Sequence, residues 1–319
     1  MQEHCNTQKM HMPVVVIITK RKQIKFQENT TMSRKNFGAK PYSFPQPVTR
    51  WLRSPLIRST MRTMQLARKS AMHGDQERSL CKMKVLVIPD VHLKPQMFKQ
   101  AAALLQAGVA GRAVCLMDIP DDWDKQFDIA LYEETYDEAI RFAKKFPETA
   151  WCYGNHDLSY FWHCLESGYS SLADYTVQRK LLDLRAAVPE NNPIRYIQRI
   201  DNVLFSHGGV LNFFVEEYVP KSKYHDVDAV LETINGLGRN EMWNDASPIW
   251  LRPQGRKMRL YKPQKLLQVV GHTPIDRITK EGNLISTDVF STYRDGRPIG
   301  TEEFLLLDTL TWEYDGVKI

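Results

Sequence analysis

Short apolar runs recur along the chain after residue 83, and most of them lead into an Asp, Asn or His. The runs lie at 84–88, 113–117, 149–153, 202–205 and 266–270. A continuous apolar run of four or five residues is typical of a strand that is covered on both faces. We therefore predict five buried strands, each followed by a polar residue of the kind that binds metal ions.

The segments between these runs show helical patterns or further strand patterns. Segment 128–145 carries apolar residues at Ile129, Tyr132, Tyr136 and Ile140, which is a helical spacing. Helices are predicted at 98–107, 128–145, 172–184 and 224–237. Further strands are predicted at 194–200, 284–289, 304–308 and 312–314. Strands that alternate with helices and are then followed by more strands predict an α/β sandwich with mixed sheets.

Charge is distributed unevenly along the chain. The 319 residues carry a net charge of +6, and 43% of them are hydrophobic, which supports a sizeable core. Residues 1–82 contain 16 Lys and Arg against 4 Asp and Glu, whereas the remaining residues contain 27 against 33. The part with the polar strand ends is therefore mildly acidic, and the basic character belongs to the first 82 residues.

Residues 1–82 also lack a sustained period of 2 or 3.6. Folded domains often begin as the chain does at Met83, with a Met, a Lys and a buried strand. We expect a folded domain at 83–319, and either a disordered basic extension at 1–82 or a natural start at Met83. The alternative is that the basic segment binds nucleic acid or another anionic surface.

Cysteine content and hydropathy both favour a reducing, aqueous compartment. The five cysteines form no Cys-x-x-Cys pair and no regular spacing, which indicates free thiols. No apolar stretch reaches the ~18–20 residues that a transmembrane helix needs. The run at 13–19 is too short for a signal-peptide core. We expect a cytoplasmic protein without a membrane partner.

Five motifs at the strand ends carry the candidate chemistry. They are Asp90-Val-His92, Asp118-Ile-Pro-Asp121, Gly154-Asn155-His156-Asp157, Ser206-His207-Gly208-Gly209 and Gly271-His272-Thr273-Pro274. Carboxylate, amide and imidazole groups at neighbouring strand ends are suited to holding divalent metal ions. Two such ions about 3.5–4 Å apart can activate a nucleophile and neutralise phosphoryl oxygens. The ordered set predicts a metal-dependent phosphoesterase.

The order D-x-H, D-x-x-D, G-N-H-D, H-G-G, G-H-T-P resembles the calcineurin-like metallophosphoesterase superfamily. It is most similar to the branch of bacterial and phage Ser/Thr-type phosphatases and diadenosine tetraphosphate hydrolases. The resemblance covers residues 84–319. It implies a four-layer α/β/β/α sandwich with two mixed β-sheets, a catalytic domain at 83–319 and two divalent metal ions. Mn²⁺ is the expected metal, and Fe, Zn or Co would tolerate the same ligands.

The resemblance also implies a role for each motif residue. The metal ligands would be Asp90 and His92 at the first metal, Asp118 as the bridge, and Asn155, His207 and His272 at the second metal. A hydroxide held by the metals would attack phosphorus without a phosphoenzyme, and His156 would act as general acid. Asp121 would keep His156 protonated near neutral pH, with Asp122 as the alternative partner. Asn155 and His156 would also contact the substrate.

Three departures from the family pattern bear on the site. Met117 stands where the second motif usually begins with Gly. Asp122-Trp123 stands where the Ser/Thr phosphatases commonly have Arg-Gly, so the phosphate contact of that Arg is missing or comes from elsewhere. Pro274 cannot ligate, so the first metal should have three protein ligands plus water.

A Trp- and Asp-rich segment at 242–253 lies where related phosphatases deliver an Arg to the substrate phosphate. Arg252 is our candidate, because a guanidinium can bind two phosphate oxygens. Arg256 or Arg259 could substitute for it, and a packed loop with a surface Arg is the alternative.

The expected activity is hydrolysis of a phosphate monoester in a phosphoprotein or a small phosphorylated metabolite. The alternatives are a phosphodiesterase or dinucleoside polyphosphate hydrolase, and a non-catalytic scaffold, which the complete ligand set disfavours. Nucleic acid is not an expected partner except through residues 1–82. Asp288 is assigned to local packing. The aromatic run 160–162 either lines the pocket or covers the core.

Overall fold

The computed structural model describes residues 84–319, and the expectations for residues 1–82 lie outside this range. The strands of the first sheet are β1 (Lys84–Ile88), β2 (Arg112–Cys115), β3 (Ala150–Trp151), β9 (Phe304–Asp308) and β10 (Tyr314–Val317). Their order is β10-β9-β1-β2-β3. Strands β1, β2 and β3 are parallel, whereas β9 runs antiparallel to β1 and to β10.

A second five-stranded sheet follows in the chain between β3 and β9. Its strands are β4 (Ile197–Ile200), β5 (Val203–Ser206), β6 (Leu267–Val270), β7 (Thr279–Glu281) and β8 (Leu284–Ser286). Their order is β4-β5-β6-β8-β7. The central strands β5, β6 and β8 are parallel, and the edge strands β4 and β7 are antiparallel to their neighbours.

Helices connect most of these strands. They are α1 (Gln96–Gln106), α2 (Ile129–Lys145), α3 (Asn155–Trp162), α4 (Asp174–Ala187), α5 (Asn212–Tyr218), α6 (Val227–Asn235) and α7 (Arg239–Met242). Helix α2 begins where the Asp128 carboxylate accepts a hydrogen bond from the Leu131 amide at 3.2 Å, an N-cap that satisfies a free donor. Tyr132 and Tyr136, one turn apart, lie on its buried face.

The alternation of side chains along β1 shows how the layers stack. Leu86 belongs to a core cluster with residues of α1, α2 and α4, whereas Val85 belongs to one shared with the second sheet. On the far side of the second sheet, Leu204 packs with Phe214 of α5 and Val230 of α6. The layers are therefore helices, sheet, sheet and helices, which confirms the predicted α/β/β/α sandwich.

Most predicted elements are present, with shifted ends. Strand β3 is only two residues long, because Cys152 forms an isolated bridge with Arg195 of the next segment. The strand predicted at 312–314 begins at Tyr314, because Trp312 has a positive φ of 62° and belongs to the turn. Helices α3, α5 and α7 and strand β7 were not predicted.

Two general features of the described residues relate to the sequence analysis. Cys115, Cys152 and Cys164 are free and buried, as predicted for structural thiols. Within residues 84–319, the helices are too short or too polar to cross a bilayer.

Candidate metal centre

The parallel strands bring the five motifs to neighbouring strand ends. The residues that follow the strands are Asp90 and His92 after β1, Asp118 after β2, Asn155 after β3, His207 after β5 and His272 after β6. Hydrogen bonds join the loops: the His92 amide donates to the Asp118 carbonyl at 2.8 Å, and the His272 amide donates to Asp90 Oδ2 at 2.8 Å. The two sheets are thus joined at the site.

The predicted ligands form two groups that share one residue. The first group is Asp90, His92 and Asp118, and the second is Asp118, His207 and His272. Within each group the potential ligand atoms lie within 4.8 Å of one another. Asn155 adjoins the second group, because its Oδ1 lies 3.0 Å from His207 Nε2. Asp118 is therefore placed where a bridging carboxylate would be needed.

Backbone carbonyls fix the tautomers of two imidazoles. His92 Nδ1 lies 2.9 Å from the Asp121 carbonyl oxygen, and His207 Nδ1 lies 3.2 Å from that of Leu116. A carbonyl oxygen only accepts, so each Nδ1 carries a hydrogen and each Nε2 is left for a ligand role. Such outer hydrogen bonds commonly orient metal-binding histidines.

The donor set fits a pair of divalent cations. Asp90 is 1% exposed, and its Oδ1 has no hydrogen-bond partner among the described residues. Burial, reinforced by the nearby Asp288 carboxylate, raises the pKa of Asp90 well above its ordinary value. A cation at this place would compensate both carboxylates. Carboxylate, imidazole and amide oxygen ligands together suit Mn, Fe, Zn and Co.

In the second ligand group, Asp118 and His207 shift each other's pKa in opposite directions. Burial alone would raise the pKa of Asp118, but the neighbouring His207 and His156 imidazoles outweigh it, and the pKa is lowered. Burial alone would lower the pKa of His207, but the Asp118 and Asp90 carboxylates raise it to about 9. His207 Nε2 lies 3.0 Å from Asp118 Oδ2. The Asp118 carboxylate and the His207 imidazolium therefore stabilise each other's charge across this contact.

His156 lies beside the two ligand groups and is held at two atoms. Its Nδ1 lies 2.9 Å from Asp121 Oδ2, and its amide donates to Asp118 Oδ1 at 2.9 Å. Burial opposes protonation, but Asp118 and Asp121 outweigh it and raise the pKa of His156 to about 9. The alternative partner Asp122 instead pairs with Lys94 at 3.1 Å. The imidazole Nε2 remains available to a substrate.

A family model for calcineurin-like phosphoesterases matches residues 83–298. The chain belongs to this family. The family, the fold and the enzyme class predicted from the motifs are confirmed: the protein is a phosphoric ester hydrolase of the metallophosphoesterase type. The identity of the metal and of the substrate does not follow from family membership.

Several solved structures are similar to this phosphoesterase. A cold-active protein-tyrosine phosphatase from a psychrophilic Shewanella species is 17% identical, with 74% of this chain and 80% of that chain covered and a TM-score of 0.47. A metallophosphoesterase from Sphaerobacter thermophilus is 13% identical, with 74% and 89% covered and a TM-score of 0.35. No curated protein matches the chain significantly.

Asp157 of the phosphoesterase has a supporting role that the motif alone did not reveal. Its Oδ2 accepts hydrogen bonds from the Asp118 amide at 2.9 Å and the Gly154 amide at 3.1 Å, and its Oδ1 accepts one from the Ile119 amide at 3.2 Å. It also caps the start of α3. One buried carboxylate therefore ties the loop after β2 to the loop after β3. The sequence feature that could have indicated this role is the position of Asp157 directly after His156 in the motif.

The loops that carry the candidate ligands are tightly packed, and several of their residues have a left-handed backbone. A Cβ on Gly154 would lie 1.8 Å from Asp118 Oδ1, and one on Gly271 would lie 1.9 Å from Asp90 Oδ1, so only glycine fits either place. Met117, where the family pattern has Gly, lies in the left-handed region with φ 55°, followed by Asp118 with φ 43°. Such residues cost on the order of 1 kcal/mol or more and persist where surrounding structure enforces them.

A cavity of about 530 Å³ opens over the ligand groups. One wall joins the loop at 122–126 to the loop at 291–299. Trp123 Nε1 donates to the Thr292 carbonyl at 2.9 Å, and Asp124 pairs with Arg294 at 3.4 Å. Asp122 accepts a hydrogen bond from the Thr292 hydroxyl at 3.2 Å. The wall thus includes Asp122 and Trp123, the two residues that depart from the Arg-Gly of the motif pattern.

Arg252 also lines the cavity. Among the residues that the structure describes, Arg256 and Arg259 do not line it, so Arg252 is the candidate of the three that reaches the site. The Arg252 guanidinium donates a hydrogen bond to the His272 carbonyl and lies 3.4 Å from Thr273 Oγ1. Asp288, assigned to packing from the sequence, is buried and lines the cavity too. Its carboxylate accepts from the Ser291 hydroxyl at 2.8 Å.

We expect metal loading to release at least one proton at neutral pH. His207 is protonated in the metal-free protein because its pKa is about 9, and a metal at Nε2 must displace that proton. Apparent metal affinity should therefore fall by about tenfold for each pH unit below 9 per proton displaced. Calorimetric titration with Mn²⁺ in two buffers of different ionisation enthalpy measures the release. Identical heats in both buffers would contradict it.

Proposed function

We propose that this phosphoesterase hydrolyses phosphate monoesters with His156 as the general acid. The observation that carries the proposal is the position of His156. Its Nδ1 is held by Asp121 at 2.9 Å, while its amide is held by Asp118, the residue common to both ligand groups. A proton donor is thus fixed beside the place where phosphoryl oxygens would be bound.

Two divalent ions, Mn²⁺ by preference and Fe, Zn or Co as alternatives, would be held by Asp90, His92, Asp118, Asn155, His207 and His272. When bound, they would neutralise phosphoryl charge and activate water as the nucleophile. The residues of the chain supply the remaining functions. Asp121 keeps the His156 imidazolium in place, and His156 Nε2 gives its proton to the departing oxygen.

Arg252 is the proposed clamp for the substrate phosphate. Its removal should lower kcat/KM by about 10-fold to 100-fold, since a hydrogen bond to a charged group contributes about 1.5–3 kcal/mol. The substitution is Arg252→Ala, measured on a phosphate monoester. Arg256→Ala and Arg259→Ala are matched controls, because these arginines are exposed and lie outside the cavity lining. A loss confined to either control would transfer the role to that residue.

The proposed substrates are phosphoproteins or small phosphorylated metabolites. The test compares a chromogenic monoester with the matching diester on the full chain, with and without Mn²⁺. Metal-dependent turnover of the monoester supports the proposal. Preference for the diester would overturn it in favour of phosphodiester or nucleotide chemistry. No turnover of either, with two metals bound, would overturn it in favour of a dinucleoside polyphosphate hydrolase or a scaffold.

A further inference from the structure

The Asp121 carboxylate is fully engaged by three side chains. Its Oδ1 accepts hydrogen bonds from the Tyr132 hydroxyl at 2.8 Å and the Tyr160 hydroxyl at 2.5 Å, while its Oδ2 faces His156 Nδ1. Both tyrosines are 0% exposed. The two tyrosines come from different helices, α2 and α3, so the contact is built by packing.

These hydroxyls fix which oxygen faces the imidazole. A carboxylate can rotate and exchange its oxygens, but two O–H donors on Oδ1 occupy the lone pairs of that atom. Burial raises the pKa of both tyrosines, so the hydroxyls remain donors. Hydrogen bonds also offset the cost of burying a charged carboxylate, which is several kcal/mol when uncompensated.

We infer that Tyr132 and Tyr160 are positioning residues that hold Asp121, and through it His156, for proton delivery to the leaving group. The inference rests on the proposed function, in which His156 is the general acid. It adds two residues that contact Asp121 and belong to neither ligand group.

Tyr160 also connects Asp121 and His156 to a wall of the cavity. Its hydroxyl accepts a hydrogen bond from the Ser170 amide at 2.8 Å, and its ring stacks on Tyr169 with centroids 4.3 Å apart. Gly168 and Tyr169 line the cavity, and a Cβ on Gly168 would lie 3.3 Å from Asp121 Cβ. Tyr132 has no contact of this kind with the 167–170 segment in the described structure, so the two tyrosines should differ in their effect on substrate binding.

The test uses the full chain with Tyr132→Phe, with Tyr160→Phe or with both, and each substitution removes only one hydroxyl. Tyr136→Phe is the matched control: it lies one turn from Tyr132 on α2, is equally buried, and donates instead to Asp157 Oδ1 at 3.3 Å. The rates are measured on p-nitrophenyl phosphate, phenyl phosphate and an alkyl phosphate. Bound Mn²⁺ and thermal unfolding are measured for every variant.

A poor leaving group depends on protonation, whereas p-nitrophenolate departs without much help. Each Tyr→Phe change on Asp121 should therefore lower kcat for the alkyl ester by about tenfold, the value of one hydrogen bond to a charged group, and for the p-nitrophenyl ester by less than about twofold. Tyr160→Phe should also raise KM, while Tyr132→Phe should not. Metal content should stay unchanged.

The inference is overturned if the loss is equal for all three esters, or if Tyr136→Phe gives the same leaving-group pattern. It fails alone, with the function intact, if His156→Gln shows the leaving-group pattern and the tyrosine variants do not. If His156→Gln lacks the pattern, the proposed function fails instead. Should Tyr160→Phe not fold, Tyr132→Phe carries the same test, and an equal loss there overturns the inference.

Discussion

Asp118→Asn is expected to lower kcat/KM by about 10³-fold or more and to deplete bound metal at both positions. Asp118 is the residue that the two ligand groups share, and Asn keeps its shape while removing its charge. Metal stabilisation of phosphoryl transfer is worth several kcal/mol, and about 1.4 kcal/mol corresponds to a factor of ten. Metal content after desalting and the monoester rate measure the two effects.

Asp122→Asn provides the control for the loss of a cavity carboxylate. Asp122 lies four residues from Asp118 and lines the same cavity, but it pairs with Lys94 and belongs to neither ligand group. It should retain both metals. An Asp118→Asn protein that keeps two metals and most of its activity would exclude a bridging role for Asp118.

His156→Gln is expected to lower kcat by about 10²-fold to 10⁴-fold on an alkyl phosphate, the range of general acid catalysis. A glutamine can still hydrogen-bond to Asp121 but cannot give up a proton at neutral pH. The backbone bond from residue 156 to Asp118 is kept, so metal content should not change. The loss should shrink as the leaving group improves, and full activity on the alkyl ester would refute the acid role.

The sequence predicted the ligand-bearing strand ends well because each candidate ligand lies within a few residues of a buried apolar run. It could not predict α3 (Asn155–Trp162), since the N-cap residue Gly154 has no side chain to signal a helix start and the first helical residues are poor helix formers. Nor could it place the Tyr160 hydroxyl on Asp121, 39 residues away, because that contact depends on how α3 packs. The left-handed Met117 likewise reflects tertiary structure overriding local preference.

The paired wall made by Trp123 and Thr292 has a consequence for re-engineering this enzyme. The two loops are about 170 residues apart in the chain, yet they hold each other through side chains and a carbonyl. Grafting either loop from a relative would leave its partner with unmatched donors and acceptors. Substrate range should therefore be transferable only when segments 122–126 and 291–299 are exchanged together.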